Sequence, residues 1–338
     1  MAVSYIGLKL GSNNTWIYNL ADGKTYAEPS MIAISNDLRN KQLRAVGVEA
    51  KKLASSGEKN TLLFMPISNG VVQYEDYATV MLTSFLNKVF PSRGFSFKIK
   101  AILSVPIGIT EDEKKVFESV CFKSGINEVY MIPEVINFCL ANNIDIKEKD
   151  AKMFVCIGSD VTNISILSSN TIISGYNVSI GGSLVSIGIV KYIEDKYLVK
   201  ISNDTAELLK SEICSLYENY SAKMTVEGVN KLTGENETVL IEANELYSVV
   251  SYYYMKIVSL IKSILSSVSS ETVADILKSG ITFYGGATNI VGFDYFMKKH
   301  IGIKLTLLET PVPEVIGTEQ LLKNPEKLKK IIKSNNLY

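Results

Sequence analysis

Apolar, β-prone residues flank a polar Gly-Ser-Asn-Asn centre in residues 6–18, IGLKLGSNNTWIY. That arrangement predicts a strand, a tight turn and a second strand. The segment beginning at Met153, MFVCIGSDVTNISIL, repeats it. Lys9-Leu10-Gly11-Ser12 answers Cys156-Ile157-Gly158-Ser159, and Thr15 answers Thr162. Two glycine hairpins so far apart in the chain predict a duplicated α/β unit, one copy per domain.

The stretch between them reads as strand, helix, strand, helix. A buried strand over 101–105 meets a Pro-Ile-Gly turn at Pro106. Thr110 followed by Glu113 is the pattern of a capping box, opening a helix that runs to about Ser124 and stops at Gly125. A short strand over 129–132 leads into a second helix from Pro133. Such alternation implies parallel strands. Beyond the second hairpin, Gly181-Gly182-Ser183 precedes a helix, and an amphipathic helix starts at Thr205. A polar stretch over 219–237 reads as a small peripheral subdomain. A long helix over 243–266 has a Tyr and Val face suited to a core. Residues 280–296 read as a strand, a glycine turn and a helix, and the tail is basic.

Composition narrows the chemistry. The 338 residues suffice for about two domains. Lys plus Arg (35) equals Asp plus Glu (35), so no global field attracts nucleic acid. A single histidine, His300, disfavours a His-based metal site or a Ser-His-Asp triad. Cys121, Cys139, Cys156 and Cys214 are widely spaced, the usage of reduced thiols in a cytoplasm. The first residues have neither the basic start nor the apolar core of a signal peptide, and no apolar run matches a spanning helix. A cytoplasmic protein is expected.

Glycine turns after strands suit phosphate, because freed backbone N–H groups can cradle its oxygens and small residues let it approach. With these turns in place, residues 6–18 resemble the first phosphate loop of the actin superfamily, most of all that of MreB proteins, written Ile-Asp-Leu-Gly-Thr-Ala-Asn-Thr. The resemblance runs through Glu28-Pro29-Ser30, Ala45-Val46-Gly47, Glu49-Ala50-Lys51, Pro66, Gly70-Val71-Val72 and Val105-Pro106-Ile107-Gly108-Ile109-Thr110, and on through residues 280–286. It implies a duplicated actin-like α/β fold: two domains, each a mixed sheet flanked by helices, with four subdomains around a nucleotide cleft. The first domain is expected at 1–148 with 311–338, and its small subdomain at about 30–64. The second is expected at 149–310, its small subdomain at about 179–240.

The same resemblance implies ATP or ADP as ligand, held by Lys9, Gly11, Ser12, Asn13, Asn14, Gly158, Ser159, Asp160, Gly181, Gly182, Lys210, Glu212, Gly285, Gly286 and Ala287. Glu134 matches the water-orienting glutamate. The departures bear on the metal. Both family hairpins carry a magnesium-holding aspartate, and here those positions are Lys9 and Cys156. Magnesium takes oxygen ligands, so Mg2+ is doubtful. Lys9 could lend its charge in place of the ion. Asp160 could repel phosphate, pair with Lys9, serve as a substitute metal ligand or simply face solvent. The family's companion threonine aligns with Val161, and Ser183 and Leu184 replace two further carboxylates. Weak or absent ATP hydrolysis is expected.

The expected function is a cytoskeletal filament subunit on the inner membrane face, serving cell shape or motility. Its partners would be copies of itself, MreB paralogues and an anionic membrane. Phe95 and Phe97 beside Lys98, in an exposed loop, would touch the bilayer, and the basic tail offers a second candidate. The rivals are a nucleotide-free pseudo-actin that copolymerises with or caps paralogues, and a slow ATPase of ordinary type. A kinase would need the cleft carboxylates missing here.

Overall fold

Both glycine hairpins form. In the computed structural model, which describes residues 3–36, 42–56, 60–92 and 97–334, β1 (Val3–Leu10) turns back into β2 (Asn14–Asn19). The Gly11 N–H donates to the Asn14 carbonyl at 3.2 Å. β3 (Lys24–Pro29) continues the antiparallel meander. Next come β4 (Ile32–Ser35), β5 (Leu43–Val46), α1 (Val48–Ser55) and β6 (Thr61–Phe64), whose strands make a small sheet in the order β5-β4-β6. A short ladder of β7 (Ile67–Ser68) and β8 (Val71–Val72) precedes α2 (Glu75–Val89). β9 (Lys98–Val105) and β10 (Glu128–Pro133) then add in parallel beside β1, separated by α3 (Glu111–Lys123) and followed by α4 (Glu134–Ala141). The capping box is present: Thr110 accepts from the Glu113 N–H, and Glu113 accepts from the Thr110 N–H. The resulting sheet order is β10-β9-β1-β2-β3. Ile6, Leu8 and Leu10 of β1 pack with Phe85 of α2 and Phe117 of α3 in one core.

The second half repeats the plan. β11 (Lys152–Ile157), β12 (Thr162–Ser168) and β13 (Thr171–Val178) form the meander. α5 (Gly182–Tyr197), β14 (Val199–Lys200), α6 (Asn203–Glu212), β15 (Lys223–Asn230) and β16 (Asn236–Glu242) follow, with a peripheral sheet β14-β15-β16. After α7 (Ala243–Ser267) and α8 (Ser270–Ser279), β17 (Ile281–Tyr284) pairs parallel to β11. α9 (Phe293–Ile301) leads to β18 (Leu305–Leu307), parallel to β17. The order β13-β12-β11-β17-β18 is the first sheet's order read from its other edge. α7 buries Leu246, Val250, Tyr254, Val258 and Ile261, a stripe of helical period. Tyr252 falls off that stripe and is exposed.

The chain ends its described course in α10 (Pro313–Lys323) and α11 (Pro325–Ser334). It divides into two units, Met1–Glu148 with Leu167–Asn177 and Thr310–Tyr338, and Lys149–Ile166 with Val178–Glu309. Residues 167–177, expected in the second domain, therefore group with the first. The reason is local bonding: the Ser169 N–H donates to the Glu148 carbonyl and the Asn170 N–H to that of Ile146. Among the described residues, no helix is long and apolar enough to cross a membrane.

Candidate functional site

In the first unit the chemistry gathers around the end of β1. Two close approaches set its geometry. Gly7 faces Thr318 of α10 so closely that a Cβ there would lie 2.0 Å from the Thr318 hydroxyl. On the other side of α10, a Cβ on Gly317 would lie 2.2 Å from the Asn137 carbonyl of α4. α10 is therefore wedged against both β1 and α4. The first turns of the two helices carry Glu314 and Glu134 to the Lys9 ammonium.

The Lys9 Nζ lies 2.8 Å from Glu314 Oε1 and 3.6 Å from Glu134 Oε1. All three side chains are largely shielded, at 20%, 5% and 10% exposure. Glu314 follows Val312, which adopts the left-handed region at φ 44°, and Pro313, which opens the helix. That conformation is uncommon for a β-branched residue. It turns the chain sharply enough to leave Glu314 on the helix's first turn, where the dipole favours a carboxylate. Burial, and the neighbouring Glu314 charge, push the Glu134 carboxyl above its usual range, with Lys9 opposing.

Two carboxylates thus meet one ammonium. Sequence reasoning gave Lys9 as a charge available to replace a metal ion. The structure adds two counter-ions to that charge within the unit, Glu314 and Glu134. Glu134 is affected too, because orienting water for attack requires an accepting carboxylate, and this one already faces the Lys9 ammonium. Glu314 itself was missed. Its only sequence signal is a Pro-Glu pair opening a helix.

Of the other first-loop residues, Gly11 makes the turn, and a Cβ on it would lie 2.8 Å from the Asn14 carbonyl. The Asn13 carbonyl accepts from the Ser30 N–H at 2.9 Å. Ser12 is half-buried, and Asn13 and Asn14 are exposed. Phe95 lies outside the described residues. Phe97 packs on Phe90, ring centroids 5.2 Å apart, against the core of the unit. Lys98 is exposed at the start of β9.

The second unit brings its expected residues together more completely. The Gly158 N–H donates to the Val161 carbonyl at 2.9 Å, the same turn that Gly11 makes. The Gly182 N–H bonds the Gly158 carbonyl and the Ser183 N–H that of Ser159, so the second and third loops are laced together. The Ser183 hydroxyl donates to Asp160 at 2.9 Å. Asp160 is half-buried and tied to the third loop, where the plain sequence reading had it facing solvent. Gly181 is required: a Cβ there would lie 2.4 Å from the Ser159 carbonyl.

Lys210 of α6 reaches the same loop, donating to the Gly182 carbonyl at 3.0 Å and the Ser186 hydroxyl at 2.9 Å. It also pairs with Glu207 at 2.7 Å. Glu207 was not singled out from the sequence, although a Glu three residues before a Lys on one helix is a readable pair. Glu212 is exposed at the end of α6. Two residues past Lys210, it points to the other side of the helix. Ala287 approaches Gly182, its Cβ 3.5 Å from where a Gly182 Cβ would be. Gly285, at φ 101°, could not carry a side chain without meeting the Ile157 carbonyl, whereas Gly286 faces open space. The Ala287 carbonyl accepts from the buried Tyr254 hydroxyl.

Thr162 is fully buried and gives its hydroxyl to the Ile180 carbonyl at 2.6 Å. It therefore does not serve in place of the threonine that Val161 replaces. Cys156 is buried, and a soft thiol is a poor partner for a hard cation. With an ammonium at one family metal position and this thiol at the other, the donor set does not fit magnesium. No group of three or more His, Cys, Asp or Glu suited to a metal occurs among the described residues.

The model of the family described as MreB/Mbl protein matches residues 3–330. The chain belongs to the MreB/Mbl family. It is 26% identical over 327 residues to the cell shape-determining protein Mbl of Bacillus subtilis, covering 96% of this chain and 97% of that one. Among solved structures, MreB5 of Spiroplasma citri bound to AMPPNP superposes with a TM-score of 0.88 at 24% identity, covering 98% of this chain and 99% of the other. The ADP-bound form of that protein gives 0.87 at 25% identity, with coverage of 97% and 98%. A MamK double helical filament gives 0.76 at 16% identity, with coverage of 95% and 99%. The fold is actin-like, as the sequence resemblance implied, and this MreB/Mbl chain has the fold of proteins solved with nucleotide.

Proposed function

We propose that this MreB/Mbl family member is a cytoskeletal filament subunit that binds ATP or ADP and hydrolyses it weakly or not at all. The observation that carries the second half is the Lys9 ammonium held between Glu134 and Glu314. A lysine fills the position of a metal-holding aspartate, and the glutamate that would orient water is spent on that lysine. Nucleotide binding is supported by the laced loops of the second unit and by the ligands of the Spiroplasma citri protein. Self-association is supported by the filament formed by MamK. The setting we propose is the inner face of the cell membrane, in the service of cell shape or motility.

The test is the thermal midpoint of the purified chain with ATP, in magnesium and in EDTA, beside phosphate release and pelleting. A ligand at a hundredfold excess over its Kd stabilises by about 2.7 kcal/mol, an easily read shift. We expect a rise in both buffers, ATP-dependent pelleting and phosphate release near background. A rise confined to magnesium, with steady phosphate release, would make the chain an ordinary slow ATPase. No rise in either buffer would favour the nucleotide-free subunit that copolymerises with or caps MreB paralogues. The already neutralised Lys9 is the observation on that side. Co-sedimentation with anionic vesicles tests the membrane half, and recovery of all protein in the supernatant would remove it.

A further inference from the structure

Glu314 belongs to no phosphate loop, yet it makes the shorter contact to Lys9, 2.8 Å against 3.6 Å for Glu134. It is buried, its approach is fixed by the wedged α10, and the left-handed Val312 backbone puts it on the first turn. Lys9 in turn borders the first glycine turn: its Cε lies 3.8 Å from where a Cβ on Gly11 would be. An anion settling on that turn therefore meets an ammonium that already has a resident carboxylate, with a second close behind.

We propose that Glu314 is a resident counter-ion that competes with nucleotide phosphate for Lys9, and so sets how tightly this chain holds a nucleoside polyphosphate. The inference rests on the nucleotide-binding reading above and assigns its phosphate affinity to a residue outside the phosphate loops. While Glu314 holds Lys9, a phosphate oxygen gains the ammonium only by displacing a carboxylate already desolvated beside it. The exchange returns little, because one charge-assisted contact replaces another. Removing the carboxylate's charge lifts that competition and weakens the local repulsion of phosphate.

The experiment measures ATP and adenosine binding to the full chain in EDTA for wild type, Glu314→Gln, Glu314→Asp and the double variant Lys9→Gln with Glu314→Gln. Glu314→Gln should bind ATP about tenfold more tightly, the scale of one hydrogen bond to a charged group, with adenosine affinity unchanged. Glu314→Asp keeps the charge but draws it back by one methylene, so a gain of about threefold is expected from a lengthened contact. The double variant has no ammonium to release and should show no gain. Adenosine separates competition from a structural role, since a general distortion of the unit would move both ligands. The proposal is overturned if wild type binds ATP and neither Glu314 variant binds it more tightly. It is equally overturned if ATP and adenosine gain alike, or if the double variant keeps the gain. Should Glu314→Gln fail to fold, Glu314→Asp and the double variant decide the matter. If wild type and all variants ignore ATP, the nucleotide-binding reading fails first and this inference with it.

Discussion

Glu134 lies 3.6 Å from an ammonium and is shielded from water, with Glu314 close enough to repel its charge. Burial dominates and raises its pKa. A carboxyl raised in the folded state holds its proton more tightly there than when unfolded. It therefore costs no stability at low pH, and costs increasingly as pH rises from the ordinary carboxylate range through the raised value. Glu134→Gln removes that titration. Its thermal midpoint should exceed wild type at pH 8, and the two should converge towards pH 4. A difference of opposite sign, with wild type the more stable at pH 8, would show that Lys9 holds Glu134 ionised, and a difference independent of pH would show that folding leaves its pKa unmoved. At this scale the sequence was half legible. Lys9 and Glu134 could be picked out from the loop and the helix start, but Glu314 could not. The three meet through the close approach of Gly7 to the Thr318 side chain and of Gly317 to the Asn137 backbone, which no local pattern announces.

Elements were more readable than their junctions. The α3 capping box was legible because cap and partner are three residues apart, so the whole interaction lies within one turn. The long helix expected at 243–266 is α7 to within one residue. The α6 start, expected at Thr205, lies two residues earlier at Asn203, because Ser202 caps the helix by accepting from the Thr205 N–H. Close packing of α10 was not readable, since a glycine inside a helical pattern does not say what lies opposite. Gly317→Ala tests it. Its Cβ would meet Asn137 backbone at 2.2 Å, which no rotamer change relieves. A loss of about 3 kcal/mol in urea unfolding is expected, at the upper end of overpacking costs. Gly286→Ala is the control: nothing lies within 4 Å of its Cβ, so its effect should stay within about 0.5 kcal/mol. Equal effects from the two substitutions would contradict the wedged helix.

Across the whole molecule, the duplication was the plainest message of the sequence, because two hairpins with one layout imply two sheets with one order. The membership of residues 167–177 was not, since it depends on backbone bonds to the carbonyls of Ile146 and Glu148. Each unit contains two buried thiols, Cys121 and Cys139 in one and Cys156 and Cys214 in the other. Burial pushes the Cys121 and Cys214 thiols up to about 12. None of the four should react with a thiol reagent in native buffer at pH 8. In rising urea, labelling read by mass spectrometry should appear in these two pairs, each following its own unit. Labelling that ignores the pairing would mean that the units do not open as cooperative bodies. The return of the chain to its first unit also has a temporal consequence. Lys9 and Glu134 are synthesised early, but Glu314 is made 180 residues after Glu134. At roughly 5–20 residues per second on the ribosome, that interval is roughly 10–40 s. For that time the nascent first sheet waits without the helix that locks it, so early exposure to a chaperone or a protease falls on this unit.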